Sequence, residues 1–451
     1  MNLIKKYNVA GPRYTSYPTV PYWDTTAPTI EQWSTSVKKS FDETNETDGI
    51  SLYIHLPFCE SLCTYCGCNT RITVNHAVEN PYLEAVIKEW ELYLSVFGST
   101  PRIKEIHLGG GTPTFFSPEN LKKLIAGILE NAIVCKDAEF SFEAHPNNTT
   151  KEHLKALYSI GFKRLSLGIQ DFDPKVQEIV NRIQPFESVE KVVTAAREIG
   201  YESINFDLIY GLPLQTRKSV IDTINKVNLL KPDRIAFYSY AHVPWVKPGQ
   251  RKFTEADLPI DEEKRALYEI GKEKFSENEY VEIGMDHFSL KSDTLYKAAE
   301  QGKLHRNFMG YTHSYTQLMI GLGVSSIGDT WYGYAQNVKK VEEYYELLNN
   351  NQLPIFKGHL LNEEDLIVRK HILNIMCKFE TSWEQKDQQC EAVYNAIEKL
   401  QEMEKDNLIE LKPFHLKVKK SARPFIRNIC MAFDARLWRN IPQSQIFSSI
   451  V

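Results

Sequence analysis

The sequence predicts an α/β protein built on a parallel sheet of six βα units, open or curled into a partial barrel. Three observations predict it. Short stretches rich in apolar and aromatic residues alternate with helical patterns from about residue 49 to about residue 240. Helix caps and stops fall between them where the alternation requires. Residues able to do chemistry cluster just after the strands, the face that carries the active site in barrels of this kind.

The first 48 residues read as an arm, rich in Pro and aromatics, as in Arg13-Tyr14-Thr15-Ser16-Tyr17-Pro18 and Pro21-Tyr22-Trp23, with one amphipathic stretch near Glu31–Phe41. Strands are expected at Ile50–Leu56, Ile103–Leu108, Ala138–Ala144, Arg164–Ile169, Ser203–Ile209 and Arg234–Tyr240. Helices are expected near Pro81–Phe97, Pro118–Asn131, Lys151–Ile160, Val189–Ile199 and Arg217–Leu230. Ser117 is placed to cap a helix with Pro118 at its first position, and Thr149 with Glu152 makes a capping-box pattern. Gly161 and Gly200 stand where the following helices should stop. This divides the chain into an arm at 1–48, a barrel domain at 49–300 and a mainly helical C-terminal domain at 301–451. The last contains a short β-ribbon near His415–Lys420, and Leu416–Asp434 is a candidate lid or winged element. No internal repeat is visible.

Composition narrows the function classes. Of 451 residues, 42% are hydrophobic and 25% charged, which excludes disordered and collagen-like chains. A net charge of −5 gives no general affinity for nucleic acid or anionic membrane, though a local basic pocket is compatible with it. No run approaches the roughly 18 apolar residues of a membrane span. The start, Met1-Asn2-Leu3-Ile4-Lys5-Lys6-Tyr7, has no apolar core behind its lysines, so no signal peptide is expected and the location expected is cytoplasmic.

The eight cysteines are unevenly spread: Cys59, Cys63, Cys66 and Cys68 share one short segment, while Cys135, Cys377, Cys390 and Cys430 are scattered as small buried hydrophobes would be. In a long cytosolic-type chain a tight cluster binds metal or does chemistry more often than it forms disulfides. Three thiolates spaced Cys-x3-Cys-x2-Cys suit three irons of a [4Fe–4S] cube with the fourth iron open; the alternative is structural zinc, with Cys68 or His55 as fourth ligand. After the second strand comes Gly109-Gly110-Gly111-Thr112-Pro113-Thr114, a tight turn or a place where backbone approaches a polar ligand. Glu143 ends the third strand, Gln170 the fourth, and Asp207 lies in the fifth, with Tyr240 and His242 after the sixth. Glu143 and Asp207 are either rim caps or acceptors for an ammonium or a ribose. His107 reads as structural.

The cysteine spacing with Tyr65, the glycine run and the six-unit pattern resemble the radical S-adenosylmethionine (SAM) superfamily, and within it the oxygen-independent coproporphyrinogen III oxidases (dehydrogenases), the HemN-like family. The carrying motifs are Gly11 to Pro18, Tyr53-Ile54-His55-Leu56-Pro57-Phe58-Cys59, Cys66-Gly67-Cys68-Asn69, Gly109–Thr114, Gly168-Ile169-Gln170-Asp171-Phe172, Asn181-Arg182, Asp207 to Pro213 and Tyr240-Ala241-His242. Gly284-Met285-Asp286-His287-Phe288, His305-Arg306-Asn307-Phe308, Tyr334-Ala335-Gln336-Asn337 and Arg427-Asn428-Ile429-Cys430-Met431 extend the match from about residue 10 to residue 436.

The resemblance implies a partial (β/α)6 TIM-like barrel, the radical SAM core, with an N-terminal arm and a mainly helical C-terminal domain. It implies that Cys59, Cys63 and Cys66 ligate a [4Fe–4S] cluster whose fourth iron SAM chelates, with family members able to hold two SAM molecules. Gly110, Gly111, Thr112, Glu143, Gln170, Arg182, Asp207 and Ala241 match SAM-contact positions, Tyr53 and Ile327 fall at other cofactor-contact positions, and Tyr65 would pack on the adenine. Cys68 matches a functional cysteine that is not a ligand. Arg13, Tyr14, Tyr17 and Arg306 are the candidates to meet the carboxylates and faces of coproporphyrinogen III. The implied reaction uses a 5′-deoxyadenosyl radical to turn two propionates into vinyl groups with loss of two CO2, giving protoporphyrinogen IX in haem biosynthesis. An electron-donor protein such as a flavodoxin or ferredoxin and a monomeric state are also implied. Ala144-His145-Pro146-Asn147-Asn148 departs from the family pattern, which has an acidic residue before the proline and a basic one after it. Two other readings share the superfamily: a haem-binding trafficking protein, against which the Arg13–Pro18 segment and Gly67-Cys68 weigh, and a methyltransferase of anaerobic haem breakdown, which product analysis separates.

Overall fold

A computed structural model describes residues 3–245, 247–442 and 446–447; Met1 and Asn2, at the start of the expected arm, lie outside them. Six parallel strands form in sequence: β1 (Ile50–Leu56), β2 (Arg102–Gly110), β3 (Ile133–Ala144), β4 (Phe162–Gln170), β5 (Ser203–Tyr210) and β6 (Arg234–Ser239). Helices fill the crossovers: α1 (Ile30–Thr44) precedes β1, then come α2 (Glu79–Phe97), α3 (Pro118–Leu129), α4 (Lys151–Ser159), α5 (Phe186–Ile199), α6 (Arg217–Leu230) and, after β6, α7 (Asp261–Glu277). The local signals act as physical chemistry requires. Ser117 accepts from Asn120 N–H with Pro118 at the first helical position, and Gly200 ends α5 in the left-handed region. The expected Thr149–Glu152 box is displaced by one residue. Thr150 caps α4 in reciprocal contact with His153, because Thr149 is drawn away to His145 O and Thr114 Oγ1.

The sheet does not end with β6. Strands β7 (Tyr280–Gly284) and β8 (His287–Leu290) add antiparallel at that edge. After a short hairpin, β9 (His305–Asn307) and β10 (Gly310–Thr312), the chain returns to the other edge. There β11 (Leu318–Leu322) pairs parallel to β1, followed by antiparallel β12 (Ile327–Thr330), β13 (Gly333–Asn337) and β14 (Ile355–Leu360). The result is one 12-stranded sheet, ordered β14-β13-β12-β11-β1-β2-β3-β4-β5-β6-β8-β7. Residues 305–360, apart from the helix Val341–Asn349, thus depart from the helical texture expected for 301–451. The reason is glycine: this stretch carries it at many strand positions, which lowers strand propensity, yet at Gly321 a Cβ would lie 2.6 Å from the Ile327 backbone. Helices dominate only later, in α8 (Glu363–Lys378), α9 (Glu391–Lys405) and α10 (Ile426–Phe433). Between them β15 (Glu380–Ser382), β16 (Ile409–Lys412) and β17 (His415–Val418) form a small sheet where the β-ribbon is expected.

Two cores result. The larger joins the sheet to α1–α7, with Trp33, Val37 and Phe41 of α1 inside it. The smaller joins α8, α9 and α10 to the arm, whose Tyr7, Tyr14 and Tyr17 are buried there. Among the described residues no helix is long and apolar enough to cross a membrane. A polar joint links α2 to the strands beyond β1: buried Glu89 accepts from Gly323 N–H at 2.8 Å, Asn337 Nδ2 at 2.7 Å and Tyr344 OH at 2.5 Å.

Candidate active site

The cysteine loop leaves β1 and is held from three sides. Behind it, Gly111 N–H donates to Leu56 O at 2.8 Å and Thr112 N–H to Phe58 O at 3.0 Å. A Cβ on Gly111 would lie 2.6 Å from the Pro57 carbonyl, so the loop meets the glycine turn backbone to backbone. On one flank, Thr64 N–H donates to Val180 O at 2.9 Å and Asn181 Nδ2 to Leu62 O at 2.7 Å. On the other, Gln250 Nε2 donates to both Tyr65 O and Ala241 O at 3.3 Å, while its Oε1 accepts from Val243 N–H at 2.6 Å.

This clamp sets the thiols among specific neighbours. Cys59 Sγ lies 3.3 Å from Thr112 Oγ1, and Arg182 Nη1 lies 3.5 Å from Cys63 Sγ. The rest of the Arg182 fork is fixed by Gly168 O at 2.6 Å and Gln184 Oε1 at 3.1 Å. Cys68 donates to Cys66, which holds the Cys66 thiol below its usual range and Cys68 above it. Cys68 O also accepts from Lys247 Nζ at 3.2 Å. Tyr65 packs on the small apolar group formed by Val176, Val180, Leu212, Tyr240 and Phe253.

The strand ends supply the rest. Glu143 Oε2 accepts Gly110 N–H at 3.1 Å, and its Oε1 lies 3.5 Å from His107 Nε2. Burial alone would raise this carboxyl, but the His107 and Gly110 donors outweigh it and hold it down, so Glu143 is an anion inside the mouth. Asp207 is the counter-case: burial first, then the charge of Glu143, pushes it up to about 6, against bonds from Ser166 Oγ at 2.9 Å and Asn205 Nδ2 at 2.9 Å. His55 is buried, so its pKa is lowered; its Nδ1 lies 3.2 Å from Tyr53 OH and its Nε2 2.9 Å from Asn69 O. A side chain on Gly110, at φ +112°, would meet the His55 ring at 2.7 Å. Gln170 ends β4 in the left-handed region, φ +65°. Ile327 lies two strands from Tyr53: its backbone packs on Gly321, which is in register with Tyr53. At the departure after Glu143, His145 accepts from Asn147 N–H at 3.2 Å and Asn147 Nδ2 donates to Ile183 O at 2.8 Å, so the substituted residues tie the rim to the Arg182 segment.

The four expected substrate residues divide. Tyr14, Tyr17 and Arg306 surround a cavity of about 10 Å³, room for one water, where Arg306 Nε and Nη1 and Tyr17 OH have no protein partner. Arg13 instead donates from Nη2 to Ser239 O at 2.9 Å, at the end of β6. Gln250, Gln184 and Lys247 are additions that sequence reasoning passes over, since isolated polar loop residues carry no periodic signal.

Against this geometry, a family profile described as the radical SAM superfamily matches residues 53–227. The solved structure of coproporphyrinogen III oxidase (HemN) from Escherichia coli, described as a radical SAM enzyme, is similar at a TM-score of 0.88 and 35% identity, covering 94% of this chain and 97% of that one. An oxygen-independent coproporphyrinogen III oxidase from Synechocystis is 37% identical, covering 100% of this chain and 97% of its own. One from Helicobacter pylori is 38% identical, covering 96% and 95%. The chain belongs to the oxygen-independent coproporphyrinogen III oxidase family.

As a radical SAM oxidoreductase of this family, the chain uses a [4Fe–4S] cluster and SAM. The donor set fits. Three thiols on one loop suit a cluster whose irons each take one. Gln250→Leu, which leaves two carbonyls without their donor and Val243 N–H without its acceptor, is expected to weaken SAM binding about tenfold while iron content stays unchanged, read by equilibrium binding and iron analysis.

Proposed function

We propose that this chain converts coproporphyrinogen III to protoporphyrinogen IX without oxygen, turning two propionates into vinyl groups with release of two CO2. The observation that carries it is the barrel mouth itself: a clamped three-thiol loop, an anionic Glu143 and a bare glycine backbone, with cationic side chains at the rim. When bound, the cluster and SAM supply a 5′-deoxyadenosyl radical that removes hydrogen from a propionate chain. The protein's own residues do the rest. In this reading Cys59, Cys63 and Cys66 hold the cluster, and Glu143 with the Gly110–Thr112 backbone receives the amino-acid end of SAM. Tyr65, Gln170, Arg182, Asp207 and Ala241 cradle its nucleoside, and Tyr53 and Ile327 flank a second SAM. Cys68 stands beside the cluster without ligating it. The buried walls exclude water from the radical. A flavodoxin- or ferredoxin-like protein delivers the electron, and the enzyme is a cytoplasmic monomer.

The test is anaerobic turnover of reconstituted protein with dithionite, SAM and coproporphyrinogen III, with tetrapyrroles and 5′-deoxyadenosine read by mass spectrometry. Protoporphyrinogen IX with two CO2 lost per macrocycle is the expected product. Deoxyadenosine without decarboxylation would move the substrate elsewhere. Neither product, from protein with an intact cluster, would point to a haem-binding relative.

A further inference from the structure

The mouth of the barrel carries positive charge that the fold does not use. Lys264, on α7, leans back to the sixth strand and donates from Nζ to Tyr240 O at 2.8 Å. Its stem crosses Gly211, where a Cβ would lie 2.7 Å from Lys264 Cε; glycine is what admits it. Arg13 bonds to the preceding carbonyl, Ser239 O. Two cations from distant parts of the chain thus bond to consecutive carbonyls, beside Ala241. The arm is fixed in that position by Arg427 of α10, whose Nε donates to Pro12 O at 2.7 Å and whose Nη2 donates to Gly11 O.

Neither Lys264 nor Arg13 has a carboxylate within salt-bridge distance among the described residues. Among the described residues, Arg13 and Arg427 disfavour the charge on Lys264 and Asp286, whose O accepts from Phe237 N–H at 2.7 Å, favours it. A half-buried ammonium hydrogen-bonded to a carbonyl, with its nearest described carboxylate beyond salt-bridge distance, costs stability, and a fold that keeps one at the mouth of its active site is prepared for an anion. The substrate's reacting groups are carboxylates, which a guanidinium fork and an ammonium point charge grip together.

We propose that Lys264 and Arg13 receive one propionate carboxylate of the substrate at the end of β6, with Lys264 setting the requirement for a carboxylated side chain there. The inference rests on the proposed function. Burial first, then Arg13, lowers Lys264 to about 8, with Asp286 opposing and Arg427 adding to the effect. Its charge, and with it the grip on a carboxylate, is lost as pH rises through that value. Arginine in its place stays charged.

The experiment measures binding of coproporphyrin III, the oxidised and unreactive macrocycle, and of its tetramethyl ester to cluster-loaded enzyme by fluorescence quenching. Lys264→Met is expected to weaken binding of the tetracarboxylate about 30-fold and that of the ester little. Lys264→Arg should stay within about threefold of wild type. Wild-type affinity should fall as pH passes about 8, and that of Lys264→Arg should stay level. A Lys264→Met enzyme that binds the tetracarboxylate as wild type does, or identical pH profiles for wild type and Lys264→Arg, would overturn the assignment. The pH arm stands even where the Met variant fails to fold. Wild type that neither binds the porphyrin nor decarboxylates coproporphyrinogen would remove the proposed function as well, whereas wild type that turns over with an unaltered KM in Lys264→Met removes only this inference.

Discussion

Alanine at Cys59, Cys63 or Cys66 is expected to strip iron from the protein and lower turnover on the order of 10⁴-fold, while Cys68→Ala lowers turnover with iron content intact. The three and the fourth differ in their partners. Cys59 faces the Thr112 hydroxyl and Cys63 the Arg182 guanidinium, each a donor able to bond a ligating sulfur. Cys66 N–H donates to Cys63 O at 3.1 Å, which closes the turn that brings those two thiols to one side. Cys68 lies beyond Gly67, its thiol donating to Cys66 and its carbonyl accepting from Lys247 Nζ. Iron and acid-labile sulfide are measured after anaerobic reconstitution. Loss of iron from the Cys68 variant equal to that from the other three would mean a four-thiolate site, with no iron left open for SAM.

Much of this site was legible because the chemistry sits where periodicity is strongest. Strand β1 and helix α6 fall on their expected bounds, and Glu143 and Gln170 stand at or next to the ends of their strands, where apolar alternation stops. What escaped has physical causes. The strands around Gly321, Gly328 and Gly333 carry glycine because neighbouring atoms lie within 3 Å of a Cβ position, so the residues that make those strands possible also hide them. Gln250 reaches the Tyr65 carbonyl and Lys264 the Tyr240 carbonyl across long sequence separations, and no local pattern marks such contacts. Tyr14, Tyr17 and Arg306 share the character of ligand-binding residues, aromatic faces and a guanidinium, yet those features equally build the second core in which they are buried.

Glu89→Ala is expected to cost about 3–5 kcal/mol, because it leaves a backbone N–H, an amide and a phenol without their shared acceptor inside the core. The damage falls on a particular joint. Gly323 begins the turn from β11 to β12, so the carboxylate of α2 holds the strand pair that carries Ile327 against β1. Glu89→Gln keeps one acceptor but turns an NH2 group toward a donor, and is expected to cost about 1–2 kcal/mol near neutral pH. The two variants also separate charge from hydrogen bonding. Burial raises Glu89 from 4.5 to about 7 despite its three donors. A carboxyl whose folded pKa exceeds its unfolded value binds more protons when folded, so its contribution is complete below about pH 4.5 and is lost as pH rises through about 7. Urea unfolding of wild type should therefore show stability falling between about pH 5 and about pH 8 by an amount of order 3 kcal/mol relative to Glu89→Gln, which has no proton to lose. A constant difference between the two across that range would mean that Glu89 is already ionised in the folded protein at pH 5, with its three donors and not burial deciding its charge.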